Sequence, residues 1–228
     1  MEKDPKRVIT ADQVFQFSSS ASLEKLTGHK AHNLAELFGL IQSCPDSSIF
    51  YHTFSAFRIL REVQVPYTNG FAMWISESVN DEALAEKLAS IDLTEHNTIA
   101  SLRGRILETI EAHKKENPET FHRTATKPFY LLDVIRIVYL TDKFAYDLRS
   151  FRDLLHTISV DSVYFHFIES RLYTQLESDD FSRWIEESLN LGELSQQIRA
   201  IDINVYTLEE LREKIVKTID EFLENTEG

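Results

Sequence analysis

The chain has 228 residues, 43% of them hydrophobic and 27% charged, which allows a sizeable core and suits two domains of about 110 residues. A net charge of −13, with an acidic excess in both halves, disfavours nucleic acid and anionic membrane surfaces as partners. The single cysteine, Cys44, rules out an intramolecular disulfide, and six glycines and five prolines argue against a loop-rich β-sandwich.

In chain order, residues 1–12 read as a flexible N-terminus without the apolar stretch of a signal peptide, and nothing approaches a membrane span, so a cytoplasmic location is expected. "VFQF" from Val14 opens a weak strand near Phe15–Leu23. Five helices are predicted next, at 30–43, 48–63, 70–79, 81–91 and 98–115. Ser48, Asn69 and Thr98 stand near cap positions, and Asn80 suits the left-handed turn that ends a helix. Ile99, Leu102, Ile106 and Ile110 form one apolar stripe.

After "KKENPETFHRTATKP" comes "FYLLDVIRIVYLT" from Phe129. It is β-branched and aromatic with partial alternation, and it predicts a strand that can pair with Phe15–Leu23. Five more helices follow, at 143–157, 162–176, 180–190, 191–201 and 207–224. Ser162 and Asp180 sit near caps, and Thr207-Leu-Glu-Glu210 is a capping box. Leu208, Leu211, Ile215, Ile219 and Phe222 form its stripe.

The second set echoes the first. "FAMWISESVN" from Phe71 meets "FSRWIEESLN" from Phe181, "SIFYH" from Ser48 meets "SVYFH" from Ser162, and the stretch from Thr98 meets the one from Thr207. The offset changes only in turn-like stretches, where insertions are tolerated. The expected fold is therefore mainly α with a minor β component, built as two tandem, pseudo-symmetric repeats of a roughly five-helix unit at 13–117 and 118–228.

The pattern "SIFYH" then "FAMWISESVN…LAEKLASID", repeated as "SVYFHF" then "DFSRWIEESL…IRAID…TLEELREKI", resembles an uncharacterised prokaryotic family filed as a domain of unknown function. That resemblance implies no reaction, cofactor or catalytic residue.

Residues that are polar in both sets are the candidate sites. His52 and His166 each follow two aromatics in the first turns of a helix, where the dipole disfavours protonation. A neutral imidazole there can serve as base, ligand or hydrogen-bond partner, though a core histidine is the commoner outcome. With their neighbours Tyr51 and Phe165, and with Glu77 and Glu187 one turn after Trp74 and Trp184, they form the candidate ligand-binding set. The two tryptophans themselves read as core anchors. Each glutamate reads first as an ion-pair partner of an arginine such as Arg103 or Arg212. His29 and His32 have a spacing that can hold a metal, but no cysteine or acidic partner is near, so no metal is expected.

No phosphate loop, dinucleotide fingerprint, nucleophile elbow or H-E-x-x-H is present, and no cofactor is expected. The function expected is a non-enzymatic adaptor or regulatory module for a protein partner. The alternative is a small-molecule-binding protein or enzyme with a cleft between the repeats.

Overall fold

The computed structural model describes residues 10–55, 67, 69–96, 98–173, 178–203 and 206–227. Two long strands, β1 (Thr10–Ala31) and β2 (Phe129–Asp147), pair as a two-stranded sheet. Gln16 Nε2 donates to the Thr141 carbonyl, Thr141 Oγ1 to the Phe17 carbonyl, and Thr27 Oγ1 to the Leu131 carbonyl. Early β1 thus meets late β2, so the strands run antiparallel. β2 has the composition of a strand. The later part of β1, "EKLTGHKA", does not, and its pairing with β2 supplies what propensity lacks.

The chain forms two compact units. One takes the chain up to Ala21 together with everything from Ile137 on, and the other takes Ser22–Arg136. Both boundaries fall inside the strands. This overturns the expected pair of tandem, pseudo-symmetric five-helix repeats with a minor β component. The architecture is mixed α/β, its longest element is the 22-residue β1, and one unit is discontinuous in sequence. The stretches at 30–31 and 143–147, read as helix starts, are strand.

In the unit Ser22–Arg136, α1 (Leu34–Ser43) is capped by Asn33, which accepts from the Glu36 amide. α2 (Asp46–Phe50) passes into a π-helical turn, Tyr51–Ser55. The rest of the helix expected to end at 63 lies outside the described residues. α3 (Gly70–Trp74) also continues as a π turn, Ile75–Val79, and Asn80 ends it at φ +56°. α4 (Glu82–Ala89) and α5 (Ile99–Glu116) complete the unit, with Thr98 capping α5 through the Ser101 amide. The stripe Ile99, Leu102, Ile106 and Ile110 is buried, as its spacing predicts.

In the other unit, Asp147 and Ser150 form a capping box at α6 (Leu148–Leu155). α7 (Val160–Tyr164) runs through the π turn Phe165–Glu169 into α8 (Ser170–Tyr173). α9 (Asp180–Leu189) is α-helical throughout, and Asn190 ends it at φ +58°. α10 (Gly192–Arg199) and α11 (Leu208–Glu227) follow. The Thr207/Glu210 box forms as read, with each side chain bonded to the other's amide.

Several expected caps shift by one turn or one residue. Ser159, not Ser162, caps α7, and Asp179, not Asp180, caps α9. Pro45 stands at the start of α2 without a side-chain bond, and Ser48 lies inside the helix.

Candidate functional site: two histidine clamps on the strand ribbon

His52 and His166 are both buried, at 5% and 4% exposure, each in a π turn of its own unit. His52 Nε2 accepts from the Leu132 amide at 3.0 Å. His166 Nε2 accepts from the Ser18 amide at 2.7 Å. Each ring therefore holds a main-chain N–H on the strand that passes its own unit. A nearby tryptophan holds the chain five residues earlier, within β1 at Gln13 and just ahead of β2 at Lys127. Trp74 Nε1 donates to the Lys127 carbonyl at 2.8 Å, and Trp184 Nε1 to the Gln13 carbonyl at 2.6 Å.

Between histidine and tryptophan sits one phenylalanine of the strand. Phe129 lies 4.7 Å from the His52 ring and 5.6 Å from Trp74. Phe15 lies 4.9 Å from His166 and 5.5 Å from Trp184. Both tryptophans are buried at 7% exposure, which fits the core reading. Burying such rings while giving each N–H a carbonyl costs no unsatisfied donor.

Behind the rings the two clamps differ. His166 Nδ1 bonds Asp180 Oδ2 at 2.8 Å, and Asp180 also binds Arg183. Because Nε2 is an acceptor, Nδ1 carries the proton, and the carboxylate fixes that tautomer. Ser162 Oγ donates to the Ser18 carbonyl, so both main-chain groups of Ser18 are held by helix side chains. At His52, Gly70 stands at the position matching Asp180. A Cβ there would lie 3.2 Å from the His52 carbonyl oxygen and 3.4 Å from Nδ1.

Burial sets the charge state. It lowers the pKa of His52 from its ordinary value to about 3. It also lowers that of His166, against the opposing pull of Asp180 and with some help from Arg183. Both rings are therefore neutral near pH 7. The lone pair that a general base or metal ligand would use is already engaged by a strand amide in each ring.

The other candidates lie apart from this chemistry. Tyr51 and Phe165 are half-buried beside the histidine rings. Burial, and then a hydrogen bond with Glu24, raises the Tyr51 hydroxyl above its ordinary range. Glu77 and Glu187 are exposed. Arg103 does not serve Glu77. It donates to the carbonyls of Ile41 and Cys44 and pairs with Asp46 at 2.5 Å. Arg212 stands 3.4 Å from Glu209.

Four polar side chains are missed or misread in the sequence. Asp180 was taken for a cap. Asp179 is the cap and is buried. His113 Nε2 meets Asp81 Oδ2 at 2.8 Å in a buried pair. Only the cap spacing before α9 signalled any of them. Among the described residues, no three His, Cys, Asp or Glu side chains gather as a metal site, and no helix is long and apolar enough to cross a membrane. A cleft of about 350 Å³ in the unit Ser22–Arg136 is lined by Thr27, His29, Cys44, Leu131 and Asp133, and His52 is not part of its lining.

The fold and the clamps thus define a class: a mixed α/β protein in which each unit holds its own stretch of an antiparallel strand pair by a buried histidine and a buried tryptophan. The chain belongs to a family of unknown function (DUF5752), which matches residues 12–220. It is similar to the structure of OrfY from Thermoproteus tenax, at 29% identity and a TM-score of 0.82, over 93% of this chain and 96% of that one. No curated protein matches the chain.

Proposed function

We propose that the chain is a non-catalytic binding module whose docking surface for a protein partner is the β1–β2 ribbon. One observation carries this reading. Among the described residues, every large hydrophobic side chain left exposed lies on β1 or β2. The helices bury theirs, so the apolar surface is concentrated rather than scattered, and concentrated apolar surface marks interaction sites. The histidines support the same reading from the other side. Their nitrogens hold the ribbon in place, which makes them scaffolding for a binding surface rather than catalytic groups.

The test is co-purification from the native host with the wild type and with Leu140→Lys, a ribbon variant at a position 71% exposed. Proteins held by the wild type and lost by a variant of equal melting temperature identify the partner. An unchanged set of bound chains, second copies of this chain included, or loss of a bound metabolite alone, sinks the reading.

A further inference from the structure

Within the discontinuous unit the two long edges of the ribbon are not equally open. In the discontinuous unit, the outer edge of β1 is closed at Ser18, whose N–H goes to His166 and whose carbonyl goes to Ser162. Among the described residues the sheet has only the strands β1 and β2, and no strand lies beside the other edge of β2. Along that edge Ile137, Val138, Tyr139 and Leu140 are all exposed, at 44–71%, and Phe144 and Tyr146 follow. Successive side chains of a strand point to opposite faces. Four consecutive exposed residues therefore mean that both faces of the ribbon are uncovered here. Natural sheets usually blunt such an edge with Lys, Pro or a bulge. Ile137–Thr141 holds no charge, proline or glycine.

We propose that this edge is completed by a second copy of the chain, β2 pairing antiparallel with β2 about a twofold axis at Tyr139. The inference rests on the binding-module reading and names its partner. Self-pairing follows from the register. With Tyr139 opposite itself, Val138 faces Leu140 of the second copy, and Ile137 faces Thr141. Arg136 then faces Asp142 on both sides of the axis, so each end of the apolar run closes with opposite charges.

The area is sufficient. Taking about 200 Å² per large side chain, six residues roughly half exposed offer on the order of 600 Å² of apolar surface per copy. A standard interface takes about 800 Å² from each partner, and the strand backbone and flanking side chains supply the remainder. Main-chain pairing adds affinity of the kind seen in strand addition.

Light scattering on the eluting full chain, across a dilution series, should give the mass of two chains. Leu140→Lys should give one chain that still folds, because within a single copy that side chain is already in water, and its melting temperature should no longer rise with protein concentration. Arg136→Glu and Asp142→Arg should each weaken the dimer about tenfold by setting like charges together, and the double variant should restore it. In a Cys44→Ser background, Tyr139→Cys should form a disulfide dimer under mild oxidation. Tyr146→Cys, far from the axis, should not.

A wild type that stays monomeric at every concentration overturns the second copy. If Leu140→Lys then still abolishes capture of another protein, the binding-module reading survives without it. A dimer that Leu140→Lys leaves intact, with partner capture also unchanged, overturns both.

Discussion

At His52 the ring has a strand amide in front and a glycine behind. At His166 it has a strand amide in front and a carboxylate–guanidinium pair behind. What the two clamps share is what holds the strand: imidazole Nε2 on an N–H, indole Nε1 on a carbonyl five residues earlier, and a phenylalanine between them. What differs is how neutrality of the ring is kept. Burial alone does it at His52. At His166 burial does it against Asp180, which in return fixes the tautomer. The grip on the strand thus does not depend on the carboxylate. Nor can the first clamp simply acquire one, since a side chain at Gly70 would press on the His52 backbone at 3.2 Å.

The largest test of this comparison is the indole. Trp74→Ala and Trp184→Ala should each cost about 3–5 kcal/mol in urea melts. Trp184→Ala should cost the more, because Trp184 stacks on Phe151 at 5.0 Å as well as touching Phe15. A loss well under 1 kcal/mol at either site would place that ring outside the core and break the shared clamp.

The imidazoles come next. His52→Phe preserves ring bulk but strands the Leu132 amide, at a cost of about 1–3 kcal/mol. His166→Phe strands the Ser18 amide and also removes a partner from Asp180, so it should cost more. Equal losses would mean that Asp180 contributes nothing through the ring.

Acid should weaken both clamps. The unfolded chain takes up a proton on each histidine below about pH 6.5, while the folded chain refuses it. Stability is then complete above that pH and falls as pH drops, by about 1.4 kcal/mol per unit for each histidine. For His52 the fall continues toward its folded value of about 3. For His166 the same sign holds, since burial lowers that ring too, although Asp180 opposes the shift. Denaturant melts in the wild type and in both Phe variants between about pH 7.5 and 4.5 measure this. Each Phe variant should remove part of the slope. A slope untouched by either variant would mean that other groups carry it.

The sequence made some of this legible. The stripe of α5, the Leu211, Ile215 and Ile219 positions of the α11 stripe, the Thr207 box and the left-handed Asn80 and Asn190 depend on spacing within one helix, and they stand as read, whereas Leu208 and Phe222 are only half-buried and Leu223 takes the core position. So does the burial of Trp74 and Trp184. What failed was non-local. Nothing near Phe15 says that it will pack on His166 and Trp184, more than 150 residues away. The serine-rich run Ser18–Ser20 and the stretch to Ala31 lack strand composition and become strand through pairing with β2. The histidine pair was found because it recurs after two aromatics. Asp180 was misjudged because it recurs as glycine, and a group present in only one clamp leaves no echo to follow.

The smallest expected effect concerns the caps ahead of α3 and α9. Asn69 and Asp179 are both buried there. Asn69 Oδ1 accepts from the Phe71 and Ala72 amides, and its Nδ2 donates to the Leu88 carbonyl. Asp179 Oδ1 accepts from the Ser182 amide at 2.8 Å, but its Oδ2 is buried without a hydrogen-bond partner among the described residues. Burial raises the Asp179 pKa above the ordinary carboxylate value, against the helix amide and Arg171. Asp179→Asn keeps the capping oxygen and replaces the orphaned one with the amide that the other clamp uses. Asn and Asp cap equally well, so the difference lies in the buried charge. The variant should gain about 1 kcal/mol at pH 7. The gain should shrink on acidification, because the native wild type then binds a proton that the unfolded chain does not yet hold. Asn69→Asp should lose stability at pH 7 for the same reason. If Asp179→Asn is instead destabilising at pH 7, the attraction of Arg171 outweighs the burial of the charge, and the two caps are separate solutions rather than a better and a worse one.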